Sequence, residues 1–182
     1  MLTVLVANTK GGCGKTTTAT QLAAAFAKAG LATALADADR QRSSLGWLER
    51  RPGQAAAIRG LDWTKGPGKA PAVARLVVDA PAALKRGGLE ELAAAADVVL
   101  VPLLPSAFDE AATAKLVRRL AELKPVRKGK KAVGVVANRV KARTRAAARL
   151  EAFCTALDQP VAGRIADRAA YADLALDGLG VF

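Results

Sequence analysis

The stretch KGGCGKTT at residues 10–17 joins an apolar run at 2–7 to a helical pattern that begins near Thr16. A glycine loop between a strand and a helix is the context a phosphate-binding loop requires. Gly11, Gly12 and Gly14 lack a Cβ, so their backbone can take positive φ values and turn its amides inward around an anion. Lys15 adds a point charge at the β- and γ-phosphates. Thr16 offers a hydroxyl to Mg²⁺, and Thr17 follows at the head of a helix whose dipole also favours an anion. Cys13 lies inside the loop, where its thiol is either a small apolar filler or a reactive group acidified by Lys15. A second lysine, Lys10, occupies the loop's first variable position.

Carboxylates stand at the ends of two later apolar runs. Residues 33–36 end in Asp37-Ala38-Asp39, and residues 73–78 end in Asp79-Ala80-Pro81. Side chains two apart on an extended chain lie on one side, so Asp37 and Asp39 face together. The carboxyl edge of a parallel sheet is where phosphates and Mg²⁺ collect. Thr16, Asp37 and Asp79 are therefore the expected metal-binding residues. A further apolar run at 132–137 leads into Asn138-Arg139.

The elements that must position these groups alternate along the chain. Helical spacing is read at 16–29, where Ala19, Leu22, Ala23 and Phe26 recur and Gly30 is placed as a cap. It is read again at 43–51, opened by a capping serine, and at 89–96, 109–123, 144–157 and 168–176. Residues 52–71 contain four glycines and three prolines and read as irregular surface with room for one short strand. The run VVLVPLL at 98–104 is apolar on both sides, which suits a parallel sheet covered by helices. With a last short strand at 160–165, the expectation is a single α/β domain over 1–182. Its sheet is doubly wound and mostly parallel with helices on both faces, the three-layer, Rossmann-like sandwich of P-loop NTPases.

A chain of 182 residues that is 52% hydrophobic can bury a real core. Its 28 Lys and Arg against 16 Asp and Glu leave a net charge of +12. That points to DNA, RNA or an anionic membrane surface as partner, unless it reflects only an Arg- and Ala-rich composition. Two cysteines and no histidine exclude a disulfide framework, imidazole catalysis and histidine metal sites. With no signal peptide and no apolar run of about 18 residues, the expected location is cytoplasmic.

With Lys10 included, K-G-G-x-G-K-T resembles the deviant Walker A loop of the ParA/MinD family of dimeric ATPases. The resemblance continues through Asp37-Ala38-Asp39, Asp79-Ala80-Pro81, the strand at 97–104, Asn138-Arg139 and the ending IADRAAYADLALDGLGVF. It implies an ATP hydrolase using ATP and Mg²⁺, bound by residues 11–17, with Lys10, Lys15 and Asp39 catalytic. In such a protein Lys10 reaches the partner's phosphates in an ATP-bound homodimer, Asp39 positions the attacking water, and Asn138 with Arg139 contacts the adenine. An amide's paired donor and acceptor suit adenine's edge, although an Asn here also suits a turn cap.

The resemblance also implies slow hydrolysis stimulated by an adaptor, ParB-like or cargo-specific, and the partition or positioning of a plasmid, chromosome or protein cargo. Non-specific DNA would be held by Lys141, Arg143, Arg145, Arg149, Arg164 and Arg168, making the ATP form nucleoid-associated. The resemblance departs at Asp39-Arg40-Gln41, where the family usually has D-P-Q. Arg40 leaves this switch loop freer than proline would and stands to contact phosphate or a partner. Two other readings stay open: a metabolic P-loop enzyme of the kinase or amide-forming type, and a MinD-like membrane cycler. Against the second, the sequence up to Phe182 carries no basic amphipathic anchor helix.

Overall fold

Apolar runs bounded by glycine, proline or charge are short enough to be strands, and a run apolar on both sides suits a strand covered on both faces. In the computed structural model, which describes residues 1–82, 86–157, 159 and 161–182, they form one seven-stranded sheet. The strands are β1 (Leu2–Val6), β2 (Thr33–Asp37), β3 (Ile58–Asp62), β4 (Arg75–Asp79), β5 (Val98–Leu103), β6 (Ala132–Val140) and β7 (Val161–Ala166), in the spatial order β3-β2-β4-β1-β5-β6-β7. Every neighbouring pair is parallel, so the sheet is wholly rather than mostly parallel among the described residues. The connection from β4 to β5 passes over β1, which creates the switch point where a doubly wound sheet opens a crevice at its carboxyl edge.

Helices cover both faces. They are α1 (Lys15–Lys28), α2 (Ser43–Glu49), α3 (Arg86–Ala95), α4 (Ala107–Glu122), α5 (Lys124–Arg127), α6 (Arg145–Ala156) and α7 (Ala170–Leu176). Period-two alternation sends Leu5 and Ala7 to one layer, where Leu89, Leu92, Leu116 and Leu120 meet them. Val6 goes to the other, against Ala19, Ala23, Leu35 and Trp47. Trp47 is thus a packing residue, as its place in the 43–51 helix suggested. A third cluster, Leu103, Val135, Leu150 and Cys154, seats α6 on the β5–β6 end of the sheet.

The expected boundaries hold to within a few residues, and the one short strand allowed for in the glycine-rich segment is β3, an edge strand whose register runs from Thr33 opposite Ile58 to Asp37 opposite Asp62. Two differences are of more substance. The helix expected at 89–96 begins at Arg86, and Pro160, read as the first residue of the last strand, lies outside the described residues. Ser43 does not cap α2. Arg42 holds the cap position at φ 52°, and the amides of Ser44 and Leu45 donate instead to Asp37 Oδ2 at 2.9 and 3.1 Å. A carboxylate supplied by the neighbouring strand satisfies the orphan donors that a serine would have taken. Gly30 caps α1 as expected, at φ 77°, its amide donating to Ala27 O and that of Leu31 to Phe26 O.

The chain's end is docked rather than loose. Arg51 Nη1 donates to Gly178 O at 2.9 Å and the Val181 amide to Gln21 Oε1 at 2.9 Å. Gly178 sits at φ 65°, and a Cβ there would lie 2.4 Å from the Arg51 nitrogen; Gly129, at φ 63°, has open space around it. Gly129→Ala should therefore cost only the left-handed strain of about 1–2 kcal/mol. Gly178→Ala should cost at least twice as much, because the Arg51 backbone must move. At about 2–4 °C per kcal/mol for a chain of this size, thermal unfolding followed by circular dichroism should separate the two variants clearly. Equal shifts would mean that the tail is not packed against α2.

Candidate phosphate and cation site

The site begins where β1 ends. Asn8 is buried, and its Nδ2 donates to Pro102 O at 2.7 Å and to Thr113 Oγ1 at 3.0 Å, while its Oδ1 accepts the Lys10 amide at 3.2 Å. These bonds tie the start of the loop to β5 and α4. Gly12 and Gly14 then take φ values of 76° and 90°, which turn the chain into α1. Lys15 is buried with its ammonium donating to Lys10 O at 2.8 Å, so the loop is drawn around its own lysine. Lys10, only partly buried, has no ion pair among the described residues.

Asn138 braces the loop from the other side. Its Nδ2 donates to Cys13 O at 2.8 Å and its Oδ1 accepts the Arg139 amide at 2.9 Å, and the side chain is 2% exposed. A Cβ on residue 14 would stand 2.0 Å from that Nδ2, so Gly14 is required by close approach as well as by its φ. A cleft of about 460 Å³ opens beside this brace, lined by Gly12, Thr17, Asn138, Arg139, Ile165 and Tyr171 among others. Its size and position against the loop suit a base and sugar. Ile165 and Tyr171 lie in the ending that carries the resemblance, but neither was singled out there as a site residue. Asn8 was also missed, though a polar residue between an apolar run and a glycine loop is a usable signal.

The cation side is buried deeper. Register places Asp37 beside Asp79, with Val6 of β1 level with them. Asp37 is fully buried and its carboxylate is occupied by three amides: Asp39 N at 3.0 Å on Oδ1, and Ser44 and Leu45 on Oδ2. In this conformation it anchors the loop at 38–42 and α2, rather than standing open as a ligand. Asp79 is 1% exposed, and neither of its oxygens has a hydrogen-bond partner. Its carboxyl is pushed up to about 7, first by burial and then by the neighbouring Asp37. The Thr16 hydroxyl, the Lys15 ammonium and the Ser44 hydroxyl pull the other way. An orphaned carboxylate beside two hydroxyls is a hard-oxygen set that fits Mg²⁺. No group of three or more Cys, Asp or Glu is placed to hold a metal alone among the described residues, so such a cation would also need phosphate oxygens and water.

Asp39 lies elsewhere. Its Oδ1 accepts the Gln41 amide at 3.0 Å, and it lines a larger cleft of about 730 Å³ with Arg40, Trp63, Lys65 and Glu91, a cleft to which residues 10–17 contribute nothing. Cys13 is fully buried, and burial pushes its thiol up against the pull of Lys15. It is the apolar filler, not a reactive group.

The six basic residues also divide. Arg164 holds Glu151 through two bonds at 2.7 and 2.9 Å, Arg149 pairs with Glu110 at 3.0 Å, and Lys141 lies 3.6 Å from Asp167, which Arg139 also engages at 3.0 Å. Arg168 lines the 460 Å³ cleft. Arg143 and Arg145 are exposed and carry no ion pair among the described residues.

The Asp79 environment has a pH consequence. The folded carboxyl, at about 7, binds its proton more tightly than the unfolded group at 3.8. Ionising it between those values therefore costs stability, up to roughly 4 kcal/mol at 1.36 kcal/mol per unit. The contribution is present below about pH 4 and is lost as pH rises through about 7. Asp79→Asn should remove this dependence, so that the nucleotide-free variant gains on wild type between pH 4 and 8 in urea unfolding. Parallel stability profiles would show that Asp79 is not desolvated.

Comparison with known proteins bears on the family and the fold. Maintenance of carboxysome distribution protein A from Gloeobacter kilaueensis is 39% identical over 122 residues, 64% of this chain, which spans 55% of that relative's length. The protein of the same name from Halothiobacillus neapolitanus is 29% identical over 189 residues, covering 99% of this chain and 86% of its own. Among solved structures, an ATP complex of a Cyanothece McdA variant superposes with a TM-score of 0.78 at 16% identity, over 100% of this chain and 89% of that one, a likeness of fold. The profile of the CobQ/CobB/MinD/ParA nucleotide binding domain matches residues 4–181, and the chain belongs to that family.

Proposed function

We propose that the chain is a ParA-type ATPase, acting as one domain over 1–182, that dimerises on Mg-ATP, binds DNA without sequence preference and positions a protein cargo. The observation that carries this reading is the convergence of Lys15, Thr16 and Asp79 on one buried cradle while Lys10, the second lysine, stays partly exposed and unpaired. A lysine left free at the rim of its own site is available to a neighbour's phosphates. Two relatives named for carboxysome distribution favour a protein compartment, rather than a plasmid or chromosome, as cargo, with an adaptor that stimulates hydrolysis.

The residues divide the work. The amides of 11–17 and Lys15 bind and orient the phosphates; Thr16 and Asp79 hold the cation, and Asp37 stabilises the switch loop that carries Asp39. When bound, Mg²⁺ supplies neutralisation of charge on the transferring phosphoryl group. Asp39 orients water only after its bond to the Gln41 amide opens, which fits slow basal turnover. Asn138 and Arg139 position the base from the 460 Å³ cleft, Asn138 by bracing the loop beneath it. For DNA, Arg143 and Arg145 carry the contact, since Lys141, Arg149 and Arg164 have acidic partners and Arg168 lines the nucleotide cleft. The ATP form would then sit on the nucleoid in the cytoplasm.

The 730 Å³ cleft beside Asp39 favours one other reading, a metabolic P-loop enzyme with its second substrate there. Sedimentation of Asp39→Ala separates the two. The positioning reading expects a dimer with ATP and a monomer with ADP, and a monomer with both would leave the metabolic reading. Lys10→Ala should keep nucleotide affinity within about threefold while losing the ATP dimer and about 10²-fold of turnover. Arg143→Ala with Arg145→Ala should weaken ATP-dependent DNA retention and flatten its salt dependence by about two counterions' worth of slope. DNA binding that ignores nucleotide and salt would overturn that part of the proposal.

A further inference from the structure

Five buried side-chain atoms lack a hydrogen-bond partner among the described residues: the Thr18 hydroxyl, the Trp47 indole N–H, the Ser44 hydroxyl and both carboxylate oxygens of Asp79, of which the last three lie at the cation side of the site. Ser44 is fully buried and Asp79 is 1% exposed, so water does not satisfy them from outside. A buried polar group left without a partner is destabilising. Two orphaned side chains side by side are better explained by an occupant than by two separate defects. They are neighbours: the Ser44 amide donates to Asp37 Oδ2 at 2.9 Å, and Asp37 stands opposite Asp79 in the strand register.

The three groups come from three different parts of the fold. Thr16 belongs to the phosphate loop, Asp79 ends β4, and Ser44 belongs to α2, which follows the switch loop. Ser44's own amide is held by Asp37 Oδ2 at 2.9 Å, while Asp37 Oδ1 holds the Asp39 amide at 3.0 Å. The hydroxyl is thus fixed in place by the same carboxylate that fixes the switch loop. A side chain positioned this firmly, and left with no partner, is poised for one.

We propose that Ser44 supplies the switch-side oxygen of the Mg-nucleotide site, its hydroxyl joining Thr16 and Asp79 in holding the cation, directly or through a bound water. Ser44 then reports cation occupancy to α2, and through Asp37 to the loop bearing Asp39. This rests on the Mg-nucleotide reading above. A structural serine and a cation-sensing serine differ in what its removal does. If the hydroxyl stabilised the fold, Ser44→Ala would lower the melting temperature of the nucleotide-free protein. Without a hydrogen bond of its own it adds little to the fold there, and its removal relieves a buried polar group.

The test is a Mg²⁺ titration of the protein–ADP complex at fixed pH, read by the change in affinity for a fluorescent ADP analogue, with the nucleotide-free melting temperature measured in parallel. Ser44→Ala should melt at or above wild type and bind the analogue in EDTA within about twofold of wild type. Its Mg²⁺ affinity should fall about 10-fold or more, the range seen when groups supporting a metal are removed. Ser44→Cys keeps the volume but swaps a hard oxygen for soft sulfur. It should lose Mg²⁺ affinity likewise and recover with Cd²⁺, relative to wild type in the same ions. Unchanged Mg²⁺ affinity in Ser44→Ala, or loss confined to melting temperature, would overturn the role given to Ser44. A wild type whose nucleotide affinity ignores Mg²⁺ would instead overturn the underlying reading.

Discussion

The register of three strands governs this site. β2, β4 and β1 run parallel with Asp37, Asp79 and Val6 at one level, so two buried carboxylates stand opposite each other at the carboxyl edge of the sheet. Two buried like charges are tolerated only if something answers each. Asp37 is answered from within, by three backbone amides that together shape the switch loop and start α2. Asp79 has no hydrogen bond among the described residues, and the nearby Thr16, Lys15 and Ser44 groups offset its burial only in part. That asymmetry converts a symmetric-looking pair of strand-end aspartates into a structural anchor and a chemical group. It also stores a cost in the nucleotide-free state that a bound cation would release, so ligand binding and folding stability are linked through one carboxylate.

Much of this was legible in the sequence because backbone chemistry is local. A glycine loop between a strand and a helix, and aspartates at strand ends, follow from periodicity and from where a parallel sheet places its carboxyl edge. The partition of labour between Asp37 and Asp79 was not legible, because it depends on which amides a loop presents to a carboxylate seven residues away. For the same reason Ser43 read as the cap of α2, when the cap comes from β2. β3 was faint because only Ile58 and Leu61 of its five residues are apolar, its outer edge being exposed. The brace from Asn138 to Cys13 O joins residues 125 apart and has no local signal at all.

Charge shows the same limit. The sequence marks six cations in its last third but not the acids opposite them. Glu151 reaches Arg164 from α6 to β7, and Glu110 reaches Arg149 from α4 to α6. Exposed pairs of this kind contribute at most about 1 kcal/mol each, so they do little for stability. Their effect is to localise the uncompensated charge. Asp167, facing both Arg139 and Lys141, neutralises the rim of the nucleotide cleft. What is left outward is Arg143, itself at φ 60°, and Arg145 at the start of α6. A non-glycine residue in the left-handed region is unusual, and here it stands just before Thr144, whose side chain caps α6 ahead of Arg145.

The absent proline in the switch loop finds its physical counterpart in hydrogen bonds. Proline would fix one φ; this chain instead closes two short rings, Asp39 Oδ1 to the Gln41 amide and the Arg42 amide to Asp39 O at 2.9 Å. Arg42 at φ 52° then directs its guanidinium to Asp62 at the end of β3, 3.5 Å away. A loop held by a fixed dihedral is stiff in every state, whereas one held by Asp39's own carboxylate is stiff only while that carboxylate is engaged. If Asp39 must turn toward water to act, acting opens the carboxylate ring and leaves only the backbone bond from the Arg42 amide to Asp39 O. Restraint of the loop then falls to Asp37, whose three amide bonds are buried and do not need to change. The replacement of proline by Arg40 therefore moves the rigidity of the switch from its tip to its root.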